Sequence, residues 1–324
     1  MKKYPMLMRP VSKEIIWGGD KLKKEYNKTA PFEKLAESWE LSVRNKEMCI
    51  IENGEYAGVE LGTYIGRSPV SILGTMAQKY DRFPLLIKFI DANDRLSIQV
   101  HPDNEYSLEH EGELGKTEMW YIIDAEPGAK LVYGLTDGCT TKDLAEAVKC
   151  GKIEEKMCYT EVKPGDVYFI PSGQVHAIGA GILIAEIQQN SNITYRVYDY
   201  ERRQADGSLR QLHTEKALDV IKVRTQDEID SIRFEVPYET SGELLCSCEY
   251  FTSVKYVSSP DSPVGLVADA DSFISILVLE AKNAEILSND YTYPIDKGES
   301  YFIPAGTGDI VISGNAKIIA TTIN

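Results

Sequence analysis

GDVYFIPSGQVH, residues 165–176, and GESYFIPAGTGD, residues 298–309, align without a gap. Each runs glycine, acidic residue, short apolar strand, then Pro-x-Gly at a fixed offset. β-Branched and aromatic residues suit a pleated, half-buried surface, and the Pro-x-Gly step ends the strand in a turn. One such strand–turn arises easily by chance. An aligned F-I-P-x-G in each half of the chain reads instead as two copies of one β unit. The copies differ at their ends, where the first has His176 and the second Asp309. The second copy keeps the turn and lacks the ligand.

Working outward, LLIKFI (85–90), LSIQVH (96–101), EMWYII (118–123), ILIAEI (182–187) and ITYRVY (193–198) read as further strands. A second strand-rich region follows residue 233, with SFISILVLEA (272–281) and ESYFI (299–303). Helical patterns are few. Residues 68–80 place Val70, Leu73, Ala77 and Tyr80 on one face, and 140–150 begin with a cap-like Thr140 and Asp143 three residues on. Residues 214–223 begin at Thr214 and present Ala217, Leu218 and Ile221. The pattern predicts a mostly β chain of two barrels or sandwiches with a few short helices, residues 214–230 bridging the two.

At 324 residues, the length fits about two domains. Hydrophobic residues make up 43% and charged residues 26%, the balance of a soluble globular chain. Fifty acidic against 35 basic residues leave a net charge of −15, which argues against a nucleic-acid surface. Positive charge for any anionic ligand must then be local. No apolar run reaches membrane-spanning length, and MKKYPMLMRPVSKEIIWGG at the start lacks a signal-peptide core. A cytoplasmic protein with no membrane partner is expected. Of the six cysteines only Cys246 and Cys248 are close, and C-x-C is not a zinc-ribbon spacing. Reduced, mostly buried thiols are expected.

A metal site must draw on four histidines, at 101, 110, 176 and 213. Gln99 and His101 alternate on one strand face, Glu118 begins the next convincing strand, and His176 follows the Pro171–Gly173 turn. Two imidazoles, a carboxylate and an amide oxygen make a mixed N/O site for a borderline divalent ion. A lone strand histidine is more often a hydrogen-bonded core residue, but a carboxylate on an apolar strand is seldom left unpaired. Lys88, Lys116 and Arg196 interrupt or flank apolar strands, with Thr194, Arg196 and Tyr198 on one face. Singly each reads as a snorkelling cation; together they suggest a pocket for an anion such as phosphate. Glu186 is either a proton carrier or the buried partner of Arg196.

The run from Gly165 to His176 resembles the second cupin motif, and Gln99-Val100-His101 with Glu118 resembles the first. IIWGGDKL (15–22), AESWELS (36–42), LSIQVHPD (96–103), GKTEMWYI (115–122) and NSNITYRVYDYER (190–202) resemble the type I mannose-6-phosphate isomerases in their short bacterial form. The resemblance runs from about residue 5 to the C-terminus. It implies two cupin-type jelly-roll barrels, residues 1–230 with the metal site and 231–324 without. It implies an aldose–ketose isomerase that interconverts mannose 6-phosphate and fructose 6-phosphate with one zinc ion. The ligands would be Gln99, His101, Glu118 and His176. Arg196 would be the active-site arginine, with Lys88, Lys116 and Glu186 in the pocket and Trp17 beside the substrate. The chain departs from the longer eukaryotic forms in lacking their helical insertion and in carrying GKTE where they have a longer phrase. Lid contacts and substrate selectivity are therefore open.

The implied reaction moves a proton between C1 and C2 through an enediol, and charge developing on the oxygens must be stabilised. The metal as Lewis acid, or Arg196 acting on the carbonyl, would serve. Glu186 is the first candidate for the base, with a lysine or a metal-bound water as alternatives. Competing readings are an iron dioxygenase on the same fold, a cupin enzyme for another sugar phosphate, and a phosphosugar-binding regulator without turnover. Oligomeric state has no signature in the sequence.

Overall fold

The computed structural model of the chain describes every residue except Met1, Ala205 and Asp290. Strands dominate, and three large sheets carry most of them. A six-stranded antiparallel sheet runs, in spatial order, Val167–Ile170, Glu118–Ala125, Ile182–Gln189, Leu85–Ala92, Glu37–Leu41 and Val11–Lys13. A five-stranded sheet runs Met157–Glu161, Lys130–Leu135, His176–Ala177, Ile98–Val100 and Tyr195–Tyr198.

The two-residue period decides what each face carries. On the central strands of the six-stranded sheet, Lys88 and Ile90, Glu118 and Trp120, and Ile184 and Glu186 share one face. The opposite face holds Phe89, Met119, Tyr121, Ala185 and Ile187, which pack with Tyr26, Phe251, Phe273 and Phe302. On the five-stranded sheet, Ile98, Val100, Tyr195 and Val197 pack outward against Leu144, Ala217 and Val220 of two helices. Each fully buried side chain of this size contributes about 1.5–3 kcal/mol. Both outer faces are thereby covered, and the polar residues are left facing each other between the sheets. The Trp120 and His176 rings meet there edge to face, 5.3 Å apart.

The third sheet has nine strands and centres on two long ones, Ile274–Ser288 and Gly308–Ile323. Its apolar core includes Ile276, Val278, Ile286, Ile310 and Ile312. It also takes in Met6–Arg9, whose Met6 and Leu7 register with Phe302 and Tyr301. The start of the chain is thus built into the sheet formed by its end.

Both copies of the repeated segment form a short strand, Val167–Ile170 and Ser300–Ile303. The glycine before each strand is left-handed, Gly165 at φ +96° and Gly298 at +91°, a conformation that costs other residues their Cβ clearance. Asp309, opposite His176 in the alignment, is exposed on its strand.

The helices depart from expectation in two places. Residues 68–80 do not form one helix: Pro69–Leu73 is α-helical, Gly74 turns left-handed, and Thr75–Lys79 is a 3₁₀ segment. The break has a cause, since Thr75 N and Met76 N donate to the Ala270 and Asp271 carbonyls rather than within a helix. Val70, expected on the buried face, is exposed. The second helix is shorter than 214–223, spanning Thr214–Val220 with His213 at the cap and no side-chain cap bond from Thr214. Lys222 N donates to Gly173 O, 2.9 Å, which draws the chain away. The helix Thr141–Lys149 has the expected Thr140–Asp143 capping box. Among the described residues, no helix is long and apolar enough to cross a membrane.

Candidate metal centre and its pocket

His101, Glu118 and His176 meet between the sheets, with one ligand atom from each lying within 4.8 Å of the others. Sheet register brings them together: His176 pairs with Gln99 on the neighbouring strand, and Glu118 opens the strand facing them. All three are essentially sealed from solvent, at 1%, 0% and 0% exposure. Each imidazole has one nitrogen committed. His101 Nδ1 donates to Ile193 O at 2.8 Å, and His176 Nδ1 donates to Gln174 O at 2.9 Å. That fixes the tautomer and turns both Nε2 lone pairs toward Glu118, the arrangement in which backbone carbonyls orient metal-binding histidines.

Electrostatics agree with this protonation. Burial first, then the nearby Lys116 charge, pushes His101 well below its ordinary value. Burial brings His176 down to about 4. Both rings are therefore neutral near pH 7, and their 3.7 and 3.4 Å approaches to Glu118 are not ion pairs. Burial, followed by the charge on Glu186, raises the Glu118 carboxyl. Beyond the ammonium of Lys116, this sealed carboxylate faces two neutral imidazole lone pairs, a convergence of donor atoms that a divalent cation would complete. A lysine already probes the position: Lys116 Nζ stands 2.5 Å from Glu118 Oε2 and 3.3 Å from His101 Nε2. The donor set fits a borderline divalent metal. Gln99 approaches His176 Nε2 at 3.3 Å through its amide, whose oxygen is a half-turn away. His110, stacked on Tyr106, and His213, at a helix cap, lie elsewhere.

Gln99 and Lys116 also line a cavity of about 380 Å³ that opens to solvent. Trp17, Lys88, Glu186 and Arg196 share its wall, so every residue that the sequence placed near a substrate does lie there. The partner expected for Glu186 is different. It pairs with Lys88 at 3.1 Å and Lys116 at 3.7 Å, not with Arg196, and accepts a bond from Trp120 Nε1 at 3.0 Å. The register explains this, because Glu186 and Lys88 are direct cross-strand partners. Burial alone would raise its carboxyl, but Lys116 and Lys88 hold it low and ionised. Arg196 instead donates from Nε to Ser97 Oγ at 3.3 Å and from Nη1 to Gln211 O at 2.8 Å. Burial and then Arg210 push it down to about 10. A bulge between Arg196 and Tyr198 takes Tyr198 off the cavity face that Thr194 and Arg196 keep.

Two family models match the chain, one over its first part and one over its last. Residues 6–130 match "Phosphomannose isomerase type I, catalytic domain", and 242–323 match "Mannose-6-phosphate isomerase, cupin domain". Mannose-6-phosphate isomerase ManA of Bacillus subtilis is 38% identical over 322 residues, 99% of either chain. The chain belongs to the type I mannose-6-phosphate isomerases. Mannose-6-phosphate isomerase of Streptococcus mutans is 36% identical over 321 residues, covering 99% of this chain and 98% of that one. The crystal structure of a Bacillus subtilis mannose 6-phosphate isomerase superposes with a TM-score of 0.87 at 34% identity, covering 99% of each chain.

For a mannose-6-phosphate isomerase, the cavity holds more than the sequence picked out. Glu37 and Trp39 alternate on the Glu37–Leu41 strand and line the wall, Trp39 Nε1 donating to Glu37 Oε2 at 2.6 Å. Lys13 and Lys88 stand over the Trp39 ring, 4.4 and 5.3 Å from its centroid. The alternation in ESWEL was a readable signal for this pair. Arg210 also lines the cavity but lies in a polar stretch with no period to announce it.

Proposed function

We propose that this isomerase interconverts mannose 6-phosphate and fructose 6-phosphate through an enediol, with zinc held by Gln99, His101, Glu118 and His176. One observation carries the reading: the sealed His101–Glu118–His176 cluster borders a cavity whose wall carries lysines, arginines and a buried carboxylate. Bound zinc would supply a Lewis acid toward the sugar oxygens. The rest falls to the chain. Glu186, kept ionised between Lys88 and Lys116, takes the proton from one carbon and returns it to the next. Lys116, between Glu118 and Glu186, offers positive charge and a proton to the oxygen that becomes anionic. Arg196 supports the same oxygens from the Ser97 side, and Trp17, Trp39 and Lys88 hold the sugar against the wall. Carbon acids are weak, so these fixed charges matter most when negative charge develops.

The same reading takes the chain as two cupin-type jelly-roll units, 1–230 with the metal and 231–324 without. The repeated strand–turn and the cupin-domain match over 242–323 support it. A coupled assay with mannose 6-phosphate, before chelation, after it, and after zinc is restored, tests the function. Turnover lost on chelation and recovered with zinc is expected. Undiminished turnover in metal-free protein would remove the metal from the reaction. No turnover in fully metallated protein would turn the reading toward another sugar phosphate or a regulator.

A further inference from the structure

The carbonyls that orient the two imidazoles are themselves held in different ways. Gln174 O, which accepts from His176 Nδ1, sits in a backbone turn closed by Gln174 N on Pro171 O at 3.1 Å. Ile193 O, which accepts from His101 Nδ1, belongs to residues 191–194, outside any strand or helix. No ladder fixes its direction, so the turn before it must. Ser191 Oγ accepts from Ile193 N at 3.3 Å, and Ser191 is itself sealed, at 0% exposure. The Ser191 carbonyl accepts in turn from Gln188 Nε2 at 2.7 Å. The second N–H of the same amide goes to Gln189 O, also at 2.7 Å. Gln189 O closes the turn as well, accepting from Ser191 N at 2.7 Å. Gln188 thus directs both amide hydrogens to one three-residue turn.

Packing alone does not account for a glutamine at this position. Gln188 ends an apolar strand segment, ILIAEI, and is fully sealed and off the cavity wall. Period two puts it on the face of Ile184 and Glu186, and register sets it directly opposite Glu118. Cβ atoms of such a pair stand about 5 Å apart. A leucine or methionine would fill that space, whereas a buried amide is costly unless its groups are bonded. Gln188 Oε1 has no donor among the described residues, so only the N–H side of the amide is used. What the residue supplies is therefore its two hydrogens. The turn has a second mooring, since Asn190 Nδ2 donates to Phe83 O at 2.9 Å and Asn190 N to Pro84 O at 2.7 Å. Those bonds tie its middle to residues 83–84. The bonds that lead on to Ile193 run through Gln188 and Ser191.

We propose that Gln188 is a positioning residue for the metal centre: by holding the Ser191 turn, it sets the Ile193 carbonyl that orients His101. The inference rests on the metal reading above and deepens it. Gln188 supplies no atom to metal or substrate; it acts through Ser191, Ile193 and His101. Its loss loosens the imidazole, which must then be ordered as the metal binds, and affinity falls.

The test uses the full-length chain as wild type, Gln188→Met, Ser191→Ala and the double variant. Gln188→Met keeps the length and removes both N–H groups, and Ser191→Ala cuts the next bond. Zinc affinity of the folded, metal-free chains is read by competition with a chromophoric chelator, and the Co2+ forms by visible absorption. Thermal melting of the metal-free proteins reports the fold separately. Gln188→Met should bind zinc about tenfold to a hundredfold more weakly, with a changed Co2+ spectrum. Ser191→Ala should lose in the same direction. The double variant should lose no more than the worse single one, since both cut one chain of bonds. Lowered melting with wild-type zinc affinity and spectrum would make Gln188 a packing residue and overturn the assignment. Losses that add in the double variant would put the two residues on separate routes and overturn it too. If Gln188→Met does not fold, Ser191→Ala decides, and wild-type affinity there breaks the route. A wild-type chain that binds neither ion would instead remove the metal centre itself, and the brace with it.

Discussion

An imidazole offers a metal its Nε2 lone pair only when the proton sits on Nδ1, and both His101 and His176 fulfil this through backbone carbonyls. Removing either ring should therefore abolish metal binding as well as turnover. His101→Ala and His176→Ala are expected to purify with metal content near zero by elemental analysis. Arg196→Ala, bonded to Ser97 and Gln211 rather than to the cluster, should keep its metal and lose about 10²-fold or more in kcat. Full metal content in His176→Ala would refute the cluster as a site. A second residue carries a pH signature. Asp91 is 3% exposed, accepts from Lys21 N at 2.8 Å, and is raised by burial to about 6 from an ordinary 3.8. The folded chain then binds this proton more tightly than the unfolded chain, so its stabilising contribution is whole below pH 3.8 and lost as pH rises through 6. Asp91→Asn, which keeps the acceptor, should gain about 1–3 kcal/mol on wild type between pH 4 and pH 7. A difference in stability that stays flat across that interval would remove Asp91 as the cause.

Elements were legible where one residue type had one physical use. The Thr140–Asp143 spacing announces a capping box, and the box forms; Thr214 looks alike but contributes no cap bond. Thr140→Ala should accordingly cost about 1 kcal/mol, and Thr214→Ala within about 0.5 kcal/mol of nothing, by chemical denaturation. Equal losses at the two sites would contradict the assignment. The strands carrying Lys88, Gln99, Glu118, Glu186 and Arg196 could be read from period two, because a charged residue inside an apolar run has few places to go. Which charges pair could not. Glu186 meets Lys88 rather than Arg196 through cross-strand register, and register is set by partners distant in sequence. The helix expected over 68–80 failed for a similar reason, since the Ala270 and Asp271 carbonyls claim the Thr75 and Met76 amides. Arg210 was hidden because its stretch is neither strand nor helix, so no period marks its face.

At the scale of the molecule, the ends of the chain are tied in a way no local pattern reveals. Met6–Arg9 pairs with Ser300–Ile303, and one apolar cluster runs from Tyr4 through Phe89 and Ile187 to Phe302 and Ile323. A buried charge crosses the same seam. Glu40, fully sealed, holds Lys28 at 2.7 Å and accepts from Ser38 Oγ at 2.6 Å and Ser300 Oγ at 2.8 Å. Glu40 follows Glu37 and Trp39 on their strand, so the Ser300 side of the molecule braces a wall of the cavity. Neither half can unfold without stripping apolar surface and a counter-charge from the other. Calorimetry should therefore show one transition whose van't Hoff and calorimetric enthalpies agree, despite the two-copy repeat. Glu40→Ala leaves the Lys28 ammonium buried and unpaired, at a cost of about 3–5 kcal/mol. It should move that single transition to lower temperature without splitting it. Two resolved transitions in the wild-type chain would mean that the seam is an ordinary contact between independent units, and that the wall of the cavity stands without its brace.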